Sequence, residues 1–367
     1  MKICYIEPYY SGSHKSWIDS YKNFSIHDIK ILSLPGNKWK WRMHGGAITL
    51  AKNLNESNKN FDLIICSDFI NLPVFKSLLN KKYRNLPFLI YFHENQITYP
   101  WSPKDSDKHL NRDLHYHYIN YTSALLSDCN YFNSKYHYDS FLDGLEKYLR
   151  KMPDYNNLNT IDLIKDKSKI LSIGCNLKKF NKYKILRNNK DPIILWNHRW
   201  EYDKNPDDFF KVILKLYKRK FNFKLVVLGE RFSKYPPIFD NVKKLLNDRI
   251  LTFDFADSFE EYAKWLWISD ILPVTSNQDF FGISIIEAAY CNTHPILPNR
   301  LTYPEIFQNN DETYFYDNIN QLYNEIESQL INLNYKRNYN NEFLDQFDWT
   351  NIVKKYDEEF LNFLKKF

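Results

Sequence analysis

Short apolar runs alternate with helix-length segments from one end of this chain to the other, and this alternation limits the fold more than any single motif. In the first half the runs are KICYIE, DIKILSL, FDLIICS, PFLIYF and DCNYFNS, with helical segments such as Ser13 to Tyr21 and Asp107 to Leu126 between them. The second half repeats the scheme with IILWNH, FKLVVLGE, RILTFDF, DILPVTS, THPILP and ETYFYD, and helices are expected over Pro206 to Lys218, Phe259 to Trp267 and Ile283 to Tyr290. Strands that are apolar on both faces and joined by helices belong to parallel sheets covered on both sides. The reading is therefore α/β, with two doubly wound parallel-sheet domains and a cleft between them. Ligands bind such sheets beyond the carboxyl ends of the strands, at helix N-termini. The domain boundary is expected near residue 180, after the polar stretch RKMPDYNNLNTIDLIKDKSK, giving domains over 1–180 and 181–367. The last segment, about 350–366, reads as an amphipathic helix with the option of packing back on the N-terminal domain.

Bulk properties narrow the function. A chain of 367 residues has room for two cores, and 44% hydrophobic with 26% charged residues is a globular composition. No apolar run reaches the ~18 residues that span a bilayer. The start, MKICYIEPYY, is a strand pattern with an internal acid and lacks the apolar region of a signal peptide. A cytoplasmic location without membrane insertion is expected. Five scattered cysteines, with no CxxC pair, fit neither a disulfide framework nor a zinc knuckle. The formal charge of +6 permits an anionic partner without requiring one. The chain has no GxGxxG after its first strand and no GxxxxGK[ST], which speaks against nicotinamide and P-loop chemistry.

Three stretches carry chemistry. In QDFFGISIIEAAY a loop holding Asp279 runs into a helix at Gly282 and Ile283, and Glu287 follows within about two turns. Both acids then face one sheet edge, where carboxylates accept from sugar hydroxyls and free backbone N–H groups near Gly282 suit anionic oxygens. Taken alone, Asp279 also fits an acid that merely stabilises a helix start. In LWNHRWEYDKNPDDF, a strand end is followed by His198, Arg199 and Lys204, with Asn205 as cap and Pro206 in the first turn. Two cations there make a diphosphate clamp, or else a solvated loop. In EPYYSGSHKSW, Gly12 admits a close ligand approach, Ser11 and Ser13 can cap a helix, and His14 and Lys15 can reach a phosphate.

Together these stretches resemble the retaining glycosyltransferases of the GT-B fold, family 4, over nearly the whole chain. That family carries a Glu-x7-Glu motif, an Arg…Lys clamp and a glycine loop after the first strand; here Asp279 stands where the first Glu is usual. The resemblance implies two Rossmann-like domains facing a cleft, Glu287 on the nucleotide ribose, Arg199 and Lys204 on the diphosphate, and the Asp279 loop on the donor sugar. It also implies a functional histidine at His93, after PFLIYF, and a metal-independent reaction with no cofactor. KWKWRMHGG, FHENQITYPW and CNTHPILPNRLTYPEIF add a closer similarity, to the tRNA-queuosine α-mannosyltransferase group. This implies GDP-mannose as donor and queuosine-containing tRNA-Asp as acceptor. Neither identity follows from composition or spacing.

The residues themselves are compatible with RNA. KWKWRMH, from Lys38 to His44, interleaves cations with Trp39 and Trp41, as base-stacking surfaces do, or else is a partly buried surface helix. HLNRDLHYHY adds His109, Arg112, His115 and His117, and NKKYR adds Lys81, Lys82 and Arg84. His115 and His117, two apart, would not share an ion on a helix. Two other readings are kept: a glycosyltransferase with a lipid, glycan or small-molecule acceptor, and a non-catalytic RNA-binding relative. No protein partner is inferred.

Overall fold

The computed structural model describes every residue except 104, 106, 108–113, 232–234, 309, 311–312 and 333–338. The chain forms two compact units, Met1–Gly174 with Trp349–Phe367, and Cys175–Asp348.

The first unit holds strands β1 (Lys2–Tyr10), β2 (Asp28–Pro35), β3 (Leu63–Ser67), β4 (Phe88–Phe92), β5 (Cys129–Phe132) and β6 (Ser168–Ile170). They pair in parallel in the order β2-β1-β3-β4-β5-β6. Strands β3, β4 and β5 are buried at every position, as their unbroken apolar runs require. Two helices bear on the functional argument, α1 (Gly12–Phe24) and α2 (Trp39–Glu56). The second unit holds β7 (Ile193–Asn197), β8 (Lys224–Leu228), β9 (Ile250–Asp254), β10 (Ile271–Pro273), β11 (His294–Pro298) and β12 (Tyr314–Tyr316), in the parallel order β12-β11-β10-β7-β8-β9. Both sheets lie between helices, so the fold is a pair of Rossmann-like domains. The helices expected over 206–218 and 283–290 are observed at those bounds, and the third spans Phe259–Ile268.

In each sheet the chain starts at an inner strand, builds outward on one side, then crosses to the other. The reversal lies between β1 and β3 in the first sheet and between β7 and β10 in the second. Loops leaving the carboxyl ends of those strands diverge there and leave a crevice, the usual ligand position.

The boundary falls between Gly174 and Cys175 rather than near 180. The stretch read as a linker contains the helix Thr160–Asp166 and the edge strand β6. That strand is three residues long and two of them are exposed, so it carries no apolar signature. The final helix, Trp349–Lys366, belongs to the first unit. Asp357 on it accepts from Tyr21 Oη (2.9 Å), Ser25 Oγ (2.6 Å) and Ile26 N (3.1 Å). Gly174 makes room for Trp349, since a Cβ there would lie 2.5 Å from the indole. All five cysteines are free and buried. Of the segment expected to be helical from Asp107, the described helix begins at His115.

Candidate functional site

The second unit gathers its charged residues at the β7–β10 reversal. After Asn197 the chain runs through His198 and Arg199 to Asn205, whose Oδ1 caps the helix Pro206–Lys218 by accepting from Asp208 N at 3.4 Å. On the other side, the loop after Pro273 carries Asp279 and reaches Gly282, which caps the helix Ile283–Tyr290 at φ +80°. A side chain is strained at that φ, and a Cβ would sit 3.1 Å from Ile285 Cδ1 and 3.2 Å from the Tyr303 ring. The loops are locked by Asn277 N donating to Asp203 O (2.7 Å) and Thr275 Oγ1 to Lys204 O (3.0 Å).

Lys204 and Asp279 meet across this reversal. Lys204 Nζ donates to Asp279 Oδ1 and to Gln278 O, both at 2.8 Å, and lies 3.3 Å from Asp203 Oδ2. Asp279 Oδ2 accepts from Tyr303 Oη at 2.6 Å. Burial disfavours both charges, yet each outweighs that for its partner: Lys204 is raised, and Asp279 is held below the usual carboxylate range. Three acceptors already surround the ammonium, so Lys204 first braces the Asp279 loop. Arg199 differs. Its side chain is 44% exposed, with Nη1 3.1 Å from Glu201 Oε2 and Nη2 3.8 Å from Asp203 Oδ2. Of the two clamp cations, Arg199 is the one an incoming anion reaches.

Glu287, half-buried, accepts from Tyr262 Oη at 2.8 Å. Burial raises it to about 7, against the opposing pull of that hydrogen bond, so it titrates near neutrality. His198 is buried and pulled down to about 4 by desolvation, hence neutral; its Nδ1 lies 3.4 Å from Ser284 Oγ, and its Nε2 has no hydrogen bond among the described residues. A third loop supports this group from below. Gly229, at φ +138°, lies so close that a Cβ would stand 1.9 Å from His198 O, and Trp200 N donates to Glu230 O at 3.0 Å. Gly229, Tyr262, Tyr303 and Asp203 escaped the sequence reading; the Gly-Glu pair closing the run FKLVVLGE was the available signal for the first.

The first unit gathers its group at the β1–β3 reversal. Glu7 is fully buried on β1, and its Oε1 accepts from Tyr9 N (2.8 Å) and Ser67 Oγ (2.9 Å). Its Oε2 accepts from His14 Nδ1 at 3.0 Å. Gly12, at φ +51°, opens α1. Ser11 takes the cap position but makes no side-chain cap bond, and Ser13 lies inside the helix, contrary to the expected capping. Gly36 packs on Ser11 so closely that a Cβ there would lie 2.0 Å from Ser11 Cβ. His93, just after β4, donates its N–H to Asp68 Oδ1 (2.9 Å), and its Nε2 lies 3.3 Å from Tyr5 Oη. The His14 and His93 rings stand 4.3 Å apart. Burial opposes charge on His14, but Glu7, then Asp68 and Glu94, raise it to about 9. His93 is driven well below its usual range by burial and by its neighbour, and stays neutral. One ligand atom each from Glu7, His14 and His93 lie within 4.8 Å of one another.

The stretch read as an RNA platform is largely consumed internally. Lys40 Nζ lies 2.6 Å from both Asp105 Oδ1 and Asp107 Oδ2. Arg42 donates to Pro35 O (3.0 Å) and Asn37 Oδ1 (2.9 Å), and Trp39 packs on Phe69 and Tyr116. Trp41 remains 63% exposed beside Gly45, and Lys38 and His44 are exposed as well. In the NKKYR stretch, Lys82 Nζ donates to Asn58 O (3.1 Å) and Arg84 to Leu79 O, and Lys81, Lys82 and Arg84 are all exposed. His115 packs on His44 and His117 on Tyr148, so the two histidines face apart. His109 and Arg112 lie outside the described residues.

The chain is similar to known proteins over most of its length. Residues 2–175 match the family model "tRNA-queuosine alpha-mannosyltransferase N-terminal", and residues 178–342 match "Glycosyl transferases group 1". The tRNA-queuosine alpha-mannosyltransferase of Drosophila melanogaster is 32% identical over 314 residues, covering 83% of this chain and 81% of that protein. Among solved structures, the sucrose-phosphate synthase of Thermosynechococcus elongatus superposes with a TM-score of 0.75 at 15% identity over 100% of both chains. Anabaena HepE in complex with UDP and glucose gives 0.69 at 13% identity, over 99% of this chain and 100% of that one. These structural likenesses establish the GT-B fold, and the sequence relationship establishes the family. The chain is a glycosyltransferase and belongs to the tRNA-queuosine alpha-mannosyltransferase family.

Proposed function

We propose that this protein transfers mannose from GDP-mannose to the cyclopentene-diol of queuosine at the wobble position of tRNA-Asp, in the cytoplasm, with retained configuration. The donor lies on the C-terminal domain, with its ribose on Glu287 and its diphosphate on Arg199, Lys204 and the backbone N–H groups of Gly282 and Ile283. On that domain Asp279 takes a sugar hydroxyl; the N-terminal domain, for its part, offers His93 to a hydroxyl and the Gly12–Ser13–His14 turn to phosphate oxygens. As the nucleoside diphosphate leaves, negative charge builds on its oxygens, and preset cations lower the barrier by stabilising it. An acceptor hydroxyl attacks the anomeric carbon from the same face as the bond to the diphosphate breaks, and its proton passes to the departing diphosphate oxygen. No metal is required in this scheme, because Arg199, Lys204 and the helix start supply the positive potential.

The observation that carries this reading is the Lys204–Asp279 contact. It joins the expected clamp loop to the expected sugar loop at a sheet reversal in a chain with this relative. The test is incubation with queuosine-containing tRNA-Asp and GDP-mannose, followed by digestion and mass measurement of the nucleosides. A hexose on queuosine with the native protein, absent with Glu287→Ala, is expected, and chelator should leave the yield unchanged. Unmodified queuosine, with donor and tRNA verified intact, would sink the assignment and move the search to other donors and to lipid, glycan or small-molecule acceptors.

A further inference from the structure

Glu7 takes no part in the scheme above, yet among the described residues it is the most completely enclosed acid of the first unit, with no exposed surface. An isolated buried carboxylate is costly and survives only where donors surround it. Here three donors do so: Tyr9 N and Ser67 Oγ on one oxygen, His14 Nδ1 on the other. The first two come from β1 itself and the end of β3, so the carboxylate is clamped to the sheet before it meets the histidine. The third fixes His14 with its Nδ1–H toward β1. The remaining polar atom of that ring, Nε2, makes no hydrogen bond among the described residues.

We propose that Glu7 is a positioning residue of the transfer reaction: it orients His14 and holds it cationic, so that His14 Nε2–H is presented to a phosphate oxygen of a substrate. This rests on the glycosyltransferase reading, and the oxygen belongs either to the donor diphosphate or to the tRNA backbone.

The surroundings agree. The charged and titratable groups facing His14 are Glu7 on β1, Asp68 after β3, and His93 and Glu94 after β4; Tyr9 and Phe69 complete the wall. Three of these are acids, Glu7 contributing most, and together they outweigh burial and raise His14 to about 9, although burial raises Asp68 itself to about 8. Its neighbour His93 is kept neutral at 4.3 Å. Two imidazoles side by side thus hold different protonation states at neutral pH, one suited to an anion and one to a hydroxyl, as paired groups with divergent environments do.

The test has two arms. The first needs no activity: histidine labelled with 15N is titrated in the native protein and in Glu7→Gln, with the His14 signal identified by its loss in His14→Gln. The native His14 midpoint is expected at about 9, and Glu7→Gln should lower it by more than about one unit, since the amide loses the charge and can accept on only one of the two sides that the carboxylate serves. The second arm measures kcat/KM against pH. Its alkaline limb should fall to lower pH with the NMR midpoint, and at pH 8 KM should rise roughly tenfold, the cost of one charge-assisted hydrogen bond. A rise in donor KM places the phosphate on the nucleotide; a rise confined to the tRNA places it on the RNA. If Glu7→Gln does not fold, His14→Gln serves, and it should raise KM at every pH and abolish the alkaline limb. A native His14 midpoint below 7, or an unmoved pH profile, overturns the proposal. So does chelator-sensitive activity restored by Zn2+, since an ion would then bridge Glu7, His14 and His93. Absence of mannosyl transfer with a normal His14 titration would instead count against the substrate assignment.

Discussion

Lys204 Nζ and Asp279 Oδ1, 75 residues apart in sequence, lie 2.8 Å apart at the reversal of the second sheet. The contact converts two separately read motifs into one unit, and it makes each residue the other's counter-ion within the protein.

Breaking that pair should cost stability as well as activity. Lys204→Met leaves Asp279 and Asp203 without their cation, and removal of one partner of a buried pair typically costs about 3–5 kcal/mol. A urea midpoint lower by that equivalent is expected, while the double variant Lys204→Met/Asp279→Leu should recover part of the stability and none of the transfer. Additive losses in the double variant would show that the two residues are not coupled.

Glu287 should confer a pH dependence of definite sign. Its folded value of about 7 lies above the ordinary 4.5, so the fold favours the protonated acid. Its contribution to stability is therefore complete below about 4.5 and is lost as pH rises through about 7. Glu287→Gln should match the native protein in thermal stability near pH 4.5. At pH 8 it should be more stable, by on the order of 1–2 kcal/mol after allowing for partial exposure. Melting curves that stay parallel at both pH values would contradict the assignment.

Gly229 packs against the Arg199 loop, its α-carbon facing His198 O and Arg199 N. Gly229→Ala places a methyl against His198 O at a φ of +138°, a clash relieved only by moving that loop. Donor KM should rise at least tenfold and stability fall by roughly 1–3 kcal/mol. Binding of tRNA, followed by filter retention, should not change.

Trp41 is the remaining outward-facing aromatic of the KWKWR stretch. An exposed indole beside Gly45 is a ready stacking surface, and base–aromatic stacking contributes ~1–3 kcal/mol. Trp41→Ala should weaken tRNA binding about tenfold with an unchanged salt slope, and leave the melting temperature nearly as it was. Lys40→Ala should do the opposite, loosening the Asp105–Asp107 segment with little direct loss of RNA affinity.

The sequence by itself determined the class of fold. Unbroken apolar runs such as LIICS and IILWN permit only strands buried on both faces, and that requirement is local and periodic. It likewise marked Arg199, Lys204, Asp279 and Glu287, because strand ends followed by helix starts are visible as composition. The edge strand Ser168–Ile170 stayed hidden, since an exposed edge carries no apolar pattern. The tertiary structure decided which charges meet. Lys204 looked like a free phosphate ligand until the β7–β10 reversal set it against Asp279, and Lys40 looked like an RNA contact until Asp105 and Asp107 claimed it. Glu7 read as one polar residue in a strand. The pairing of β1 with β3 brings Ser67 onto one of its oxygens and the turn into α1 brings His14 onto the other, because hydrogen bonding and charge depend on distances in space that sequence spacing does not encode.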